Sequence, residues 1–238
     1  MQTMDYFDRC FVINLPARGD RRRAMQAELA RAGMPFQPGK VEIFPGIRPD
    51  DAGPFPSLGA RGCFESHLAI LRKAKAEGLR NVLIMEDDLT IDPLFGEYSE
   101  RLIAELQTAD WGFVFFGHVL DPEATGPDVR LSAYPGPIMT AHFYAINGAI
   151  FDRLLAFFDA LLQRPPGHPD GSPMHVDGAY STFRKQNPDV LTLVALPSLG
   201  WQRSSRSDIY PNRWYDRWPV FRELAGLARA LKTRLRGR

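Results

Sequence analysis

Residues 81–89 read NVLIMEDDL. Four apolar side chains, Val82, Leu83, Ile84 and Met85, run directly into Glu86, Asp87 and Asp88. A short apolar run with polar ends suits a strand buried on both faces of a parallel sheet, and it is too short for a core helix. Gly78, just upstream, reads as the stop of a preceding helix. In open α/β sheets ligands sit beyond the carboxyl ends of the strands, and this strand delivers its acids there.

Three neighbouring carboxylates repel one another unless something positive joins them. Side chains alternate along a strand, so Glu86 and Asp88 are expected on one side and Asp87 on the other. Two hard oxygen ligands suit Mg²⁺ or Mn²⁺, which take the rest of their shell from water and substrate phosphates. A solvated acidic turn would account for the same residues.

Upstream, residues 9–15 (RCFVINL) read as a first buried strand. Asp20 is placed to cap a helix running to about residue 32, with Met25 and Leu29 on one face and Gly33 ending it. Asn14, Arg18 and Arg21 fall around this strand-to-helix turn, where an anionic or nucleotide ligand can meet a helix N-terminus. Residues 35–60 are rich in Pro and Gly, which predicts a long folded-back loop with one short strand at 41–44; such loops form lids and binding walls. A helix is expected over 62–77, with Ser66 and His67 near its start. A lone helical His is more often structural than functional.

Downstream, Asp92-Pro93 has the form of a helix start, with Phe95, Tyr98, Leu102 and Leu106 as its core-facing stripe. Strands are expected at 111–117, 140–146 and 190–196. Residues 148–162 are apolar nearly all round, so a deeply packed helix is expected there. His175 and Asp177 fall at the first turn of a helix ending near residue 186, where an Asp complements the helix dipole as a simple cap. Alternation of strands and helices makes the fold class α/β.

The chain has 238 residues, 45% of them hydrophobic, enough for a sizeable core in one catalytic domain over about residues 1–210. Its net charge of +1 hides a basic end. Residues 222–238 hold six basic side chains against Glu223, a local +5 that leaves the remainder at −4. That balance argues against nucleic acid as a partner and for a basic tail over 211–238. Within it Leu224, Leu227, Leu231 and Leu235 line one helical face, with Trp214, Tyr215 and Trp218 ahead of them. Such a helix suits either an anionic membrane surface through residues 220–238 or packing on the domain. Only Cys10 and Cys63 occur, read as reduced, packed thiols of a cytosolic protein. Residues 1–9 (MQTMDYFDR) lack a long apolar h-region, so no secretory signal is expected, and no apolar run approaches the roughly 20 residues that span a bilayer. The expected location is cytoplasmic, or peripheral on the inner face of the plasma membrane.

Seven stretches occur in one order: 11–22 (FVINLPARGDRR), 62–70 (GCFESHLAI), 82–89, 111–117, 143–149 (FYAINGA), 176–180 and 196–209 (LPSLGWQRSSRSDI). Together, over about residues 10–209, they resemble glycosyltransferase family 25, the bacterial lipopolysaccharide and lipooligosaccharide galactosyltransferases and their collagen-modifying relatives. The resemblance implies a GT-A-type, Rossmann-like nucleotide-binding fold with a mainly parallel central sheet. It implies transfer of a hexose, usually galactose, from a UDP-sugar donor with inversion, dependent on Mn²⁺ or Mg²⁺, to an oligosaccharide or lipid-linked acceptor. The family's acidic metal motif falls on Glu86-Asp87-Asp88 and its Ser-His pair on Ser66-His67. Glu65 before that pair and Trp201 between Gly200 and Gln202 depart from the usual pattern.

On this reading Glu86 and Asp88 hold the metal, with His175 or Asp177 able to complete its shell. Asp177 is the first choice for the base that activates the acceptor, with Asp87 second. Asn14, Arg18, Arg21, Ser66, His67, Gln202 and Ser207 serve the nucleotide donor. A non-catalytic nucleotide-sugar-binding protein and a metal-dependent phosphohydrolase are the competing readings.

Overall fold

The structure, a computed structural model, describes residues 3–120 and 128–203. Ser207 and the basic tail therefore lie outside the described residues. The described residues form nine strands: β1 (Arg9–Asn14), β2 (Val41–Pro45), β3 (Asn81–Glu86), β4 (Leu89–Ile91), β5 (Trp111–Gly117), β6 (Arg130–Ala133), β7 (Phe143–Asn147), β8 (Leu191–Leu196) and β9 (Gly200–Gln202). Seven of them make one sheet in the order β2-β1-β3-β7-β5-β8-β6. The pairs β1–β2, β1–β3 and β5–β8 are parallel, while β7 and β6 run against their neighbours. Five of the seven strands thus point one way, the mainly parallel α/β sheet expected.

Each strand alternates its apolar residues between two cores. Phe11, Val82, Ile84, Phe113, Phe115, Tyr144 and Ile146 face one of them. Cys10, Val12, Leu83, Met85, Val114, Phe116, Phe143 and Ala145 face the other. The first core is closed by α3 (Leu58–Ala76), α6 (Phe151–Gln163) and α7 (Val176–Gln186), through Phe64, Leu68, Phe158, Tyr180 and Phe183. The second is closed by α2 (Gly19–Arg31), α4 (Pro93–Glu97) and α5 (Ser99–Thr108), through Met25, Leu29, Phe95, Leu102 and Leu106. A four-residue helix, α1 (Thr3–Tyr6), precedes β1. Helices on both faces of a twisted sheet are the layering that buries both sides of every central strand.

Chain order fixes where a ligand can enter. From β1 the chain passes to β2 on one side of the sheet and then returns to β3 on the other. The connections leave β1 and β3 in opposite directions, which opens a crevice at their carboxyl ends. Asn14 and Glu86 are the last residues of those two strands.

Several local expectations change. Asp20 does not cap α2; Arg18 holds the N-cap position, and Asp20 pairs with the Arg18 guanidinium from within the first turn. Helix α3 starts at Leu58 rather than 62, because the Ser57 hydroxyl accepts the Ala60 N–H at 3.1 Å and sets the start inside the Gly-rich stretch. The Asp92 cap forms as predicted, accepting from Leu94 N at 2.9 Å, but the helix breaks at Tyr98 into α4 and α5. Residues 148–150 are a 3-10 turn, and α6 keeps a solvent face through Asp152, Arg153, Ala156 and Asp159 instead of being buried all round. Gly33 and Gly78 end their helices at φ of +71° and +66°.

Candidate active site at the ends of β1 and β3

Strand β3 ends at Glu86, and Asp87 and Asp88 begin the turn into β4. Alternation holds for the first two acids. Glu86 points toward α3, with its Oε1 3.6 Å from His67 Nε2 and accepting from Cys63 Sγ at 3.8 Å. Asp87 points toward α2, accepting from Arg21 Nη1 at 2.8 Å and from Asn14 Nδ2 at 2.7 Å. Asp88 shares Arg21 with Asp87, its Oδ2 lying 3.4 Å from the same Arg21 Nη1, and it also feels the Glu86 charge.

The second anchor is the short ribbon β4–β9, in which Leu89 pairs with Gln202 and Ile91 with Gly200. It carries Gln202 over the acids, where its Nε2 donates to Glu86 Oε2 at 2.8 Å. Arg203 follows. It donates from Nη2 to the Asp87 carbonyl at 2.8 Å and from its backbone N–H to the Asp88 carbonyl at 2.7 Å. Glu28 of α2, 3% exposed, supports this corner by accepting from Ile91 N at 2.8 Å and lying 3.6 Å from Arg203 Nη1.

A cleft of about 420 Å³ opens over these residues. The acids Glu86, Asp87 and Asp88 form its floor, with Arg18, Arg21 and Arg203 around them, and the loop Gly46-Ile47-Arg48-Pro49 walls one side. The Pro/Gly-rich segment thus makes the binding wall expected of it. Ser66 uses its hydroxyl to hold that wall: it accepts from Ile47 N at 2.8 Å and donates to the Gly62 carbonyl at 2.6 Å. A hollow of about 460 Å³ between α2 and α4 is slightly larger, but it lies away from the strand ends, and its charged members Glu28 and Arg31 pair with each other.

The electrostatics favour a cation on the floor. Burial, together with the neighbouring Glu86 charge, pushes the Asp88 carboxyl up to about 7. Its Oδ1 is buried and has no hydrogen-bond partner among the described residues. A buried carboxylate oxygen left bare beside two more acids is costly unless a cation approaches it. Asp88 and Glu86 therefore fit a divalent ion by chemistry and by need. Among the described residues, however, the trio whose donor atoms gather within 4.8 Å of one another is Cys63, His67 and Glu86, without Asp88 or His175.

Asp177 lies in the first turn of α7 and His175 at its N-cap position. Asp177 is partly buried, accepts from Gly178 N at 2.8 Å, and is close enough for its charge to be felt at Cys63 and Glu86. Burial holds its carboxyl above the ordinary value. Neither residue lines the cleft floor. Of the residues assigned to the donor, Arg18, Arg21, Ser66, His67 and Gln202 line the cleft, and Asn14, 3% exposed, sits behind Asp87. Arg203 and Arg48 were missed. A basic residue directly after Gln202 was the available signal for the first; nothing in a Pro/Gly loop singles out the second.

The family described as glycosyltransferase family 25 (LPS biosynthesis protein) matches residues 40–122, which carry the cleft wall, α3 and the acidic strand end. Over those residues the chain is similar to glycosyltransferase family 25. It is 28% identical over 180 residues to the lacto-N-neotetraose biosynthesis glycosyltransferase LgtB of Neisseria meningitidis, covering 65% of this chain and 62% of that protein. It is 30% identical over 146 residues to procollagen galactosyltransferase 1-B of Xenopus laevis, covering 52% of this chain and 24% of that one. It is also 29% identical over 157 residues to the inactive glycosyltransferase 25 family member 3 of Homo sapiens, covering 58% and 26%. The chain spans about a quarter of the length of these animal relatives.

Proposed function

We propose that this chain is a member of glycosyltransferase family 25 and an inverting, metal-dependent transferase. It moves a hexose, galactose by preference, from a UDP-sugar to a saccharide acceptor in lipopolysaccharide or related cell-surface glycan synthesis. The observation that carries the reading is the bare Oδ1 of Asp88, buried at the switch point of the sheet inside a cleft rimmed by arginines. Asp88 and Glu86 would hold Mn²⁺ or Mg²⁺, which supplies a sink for the negative charge that develops on a departing diphosphate.

The chain's own residues do the rest. Arg18, Arg21 and Arg203 bring positive charge to the diphosphate position, and Gln202 keeps Glu86 turned toward the floor. Asn14 and Arg21 fix Asp87, so Asp87 is a buttress that orients the acidic turn and not a free base. Inversion needs a base facing the acceptor hydroxyl. Asp177, its proton affinity raised by burial and its carboxylate less encumbered than that of Asp87, is suited to take that proton. Galactose and the glycan pathway are suggested by the names of relatives, LgtB and the procollagen galactosyltransferase among them.

The test is UDP release from a panel of UDP-hexoses with Mn²⁺, with and without acceptor sugars, and the anomeric configuration of the product read by NMR. Acceptor-dependent release that chelation stops, with inverted configuration, is the expected result. A second reading has an observation behind it: some relatives are inactive family members. A protein that binds metal and UDP-sugar in the cleft but never turns over would establish that reading instead, while acceptor-independent phosphate release would indicate a hydrolase.

We further propose a cytoplasmic site of action at the inner face of the plasma membrane, reached through the basic segment 220–238. None of the described helices is long and apolar enough to cross a membrane. Flotation with anionic vesicles, comparing the full chain with one ending near residue 219, tests this; equal binding would remove the idea.

A further inference from the structure

Cys63 and His67 sit one turn apart on α3, on the face that meets Glu86. Their donor atoms and a Glu86 oxygen all lie within 4.8 Å of one another. His67 is 0% exposed, and its Nε2, aimed at this group, is buried without a hydrogen-bond partner. Its other nitrogen is engaged: Nδ1 is 2.5 Å from the Tyr144 hydroxyl, which is 2.8 Å from that of Tyr180. In the tautomer with Nδ1–H donating to the Tyr144 hydroxyl, Nε2 turns its lone pair toward Cys63 and Glu86. A metal-binding His is held in this way, by a partner on the nitrogen that does not bind.

The ligand set and spacing discriminate between ions. A tetrahedral ion with bonds of about 2.0–2.3 Å places its donor atoms roughly 3.3–3.8 Å apart. An octahedral Mg²⁺ with bonds of about 2.0–2.1 Å would need neighbouring donors near 2.9 Å. The observed separations from Glu86 Oε1 are 3.6 Å to His67 Nε2 and 3.8 Å to Cys63 Sγ, closer to the tetrahedral case. Thiolate and imidazole select Zn²⁺ over the hard ions that suit the carboxylates of the floor. All three residues line the cleft, so a fourth position is open to water.

We propose that Cys63, His67 and Glu86 form a thiolate-containing divalent site for Zn²⁺, and that its occupation inhibits sugar transfer by holding Glu86 on the α3 side, where it cannot share a metal with Asp88. Binding forms a sulfur–zinc bond and releases the thiol proton to solvent; no redox change is involved. Inhibition rests on the transferase reading above, whereas zinc binding does not.

The full-length chain titrated with Co²⁺ reads the site directly. The expected spectrum shows one equivalent of tetrahedral Co²⁺ with a sulfur-to-cobalt charge-transfer band, displaced by Zn²⁺. The band should vanish in Cys63→Ser and persist in Cys10→Ser, whose thiol is buried in the opposite core. Absence of that band in the wild-type chain, or its survival in Cys63→Ser, overturns the site. Should Cys63→Ser not fold, X-ray absorption on the zinc-loaded wild type decides: one sulfur at about 2.3 Å is expected, and a shell of light atoms alone refutes it. Losing even an outer partner of a ligand costs about 10–100-fold in affinity. Zinc at half-inhibition, each protein measured against its own manganese-supported rate, should therefore rise at least tenfold in Cys63→Ser, and no rise overturns the inhibitory role. A chain with no transferase activity that still gives the cobalt band would refute the proposed function and leave the zinc site standing.

Discussion

Asn14 and Asp87 meet at the ends of neighbouring parallel strands, where Asn14 Nδ2 donates to Asp87 Oδ2 at 2.7 Å. Arg21 completes the arrangement on the other carboxylate oxygen at 2.8 Å. Asp87 is 6% exposed, so both bonds are made out of water. They tie the end of β1 and the first turn of α2 to the acidic turn, and they decide how Asp88 is presented.

Removing that carboxylate takes from Arg21 its 2.8 Å partner, leaving Asp88 at 3.4 Å, and takes from the Asn14 amide its charged acceptor. Asp87→Ala is expected to lose about 3–5 kcal/mol of stability, the range for breaking a buried charged pair from one side. Asn14→Ala, which removes one neutral donor to a charged acceptor, should lose about 1.5–3 kcal/mol. Urea unfolding of both variants checks the order. Equal losses would mean that Arg21 contributes nothing to holding the turn.

Asp88→Asn is expected to keep the fold and to lower metal-dependent transfer by about 10²–10³-fold, the scale of losing one electrostatic stabiliser of the transition state. Activity with Mn²⁺ near the wild-type rate would refute its role as a ligand.

The same residue sets a pH dependence in metal-free protein. Its folded value of about 7 stands above the ordinary 3.8. Below 3.8 folded and unfolded chains both keep the proton and the group contributes nothing. Between 3.8 and about 7 the unfolded chain releases it while the folded chain retains it, so stability falls as pH rises through that window. Asp88→Asn should match the wild-type Tm at pH 4 and exceed it at pH 8, by roughly 2–4 °C for each kcal/mol by which the ionised carboxyl destabilises the folded chain. Added Mn²⁺ should raise the wild-type Tm at pH 8 and leave the variant unmoved. Scanning calorimetry at both pH values reads all of this.

Asp177→Asn separates two roles. As the base, its loss should leave binding of manganese and UDP intact while turnover falls by about 10²–10⁴-fold. The acid limb of the wild-type rate profile, which rises with pH as the raised Asp177 carboxyl ionises, should flatten in the variant. Lost metal affinity measured by calorimetric titration would place Asp177 among the ligands instead.

Gly62→Ala tests the cleft wall. Helix propensity alone would favour alanine by about 0.8–1.0 kcal/mol. A Cβ there would stand 2.5 Å from the Ile47 carbonyl, which is backbone and cannot swing aside. The clash should win, with a net loss of stability and a raised KM for the sugar donor, because Ile47 and Arg48 would be pushed off the site. A more stable variant with unchanged KM would show that the loop yields freely.

How much of this could be read in the chain depends on range. The acidic strand end was legible because an apolar run stopping at three acids is a local signal, and β3 ends where that signal ends. The Asp92 cap and the Gly78 stop were legible for the same reason. The ribbon of β4 and β9 was not: each strand is three residues long, too short for periodicity, and their pairing joins segments more than a hundred residues apart. The reversed strand β7 reads as any other buried strand, since burial on both faces erases the pattern that would betray direction. Cys63 was read as a packed thiol because its partners come from elsewhere: His67 lies one turn along the helix, but Glu86 arrives only when β3 docks beside α3.

The hook of β9 over β4 also sets an order of events during synthesis. Glu86 and Asp87 leave the ribosome long before Gln202 and Arg203, the side chains that cover them from the far strand. Until about residue 203 has emerged, a nascent chain can stack most of its sheet while the acidic corner stays uncovered, so ligand binding arrives as the final act of assembly.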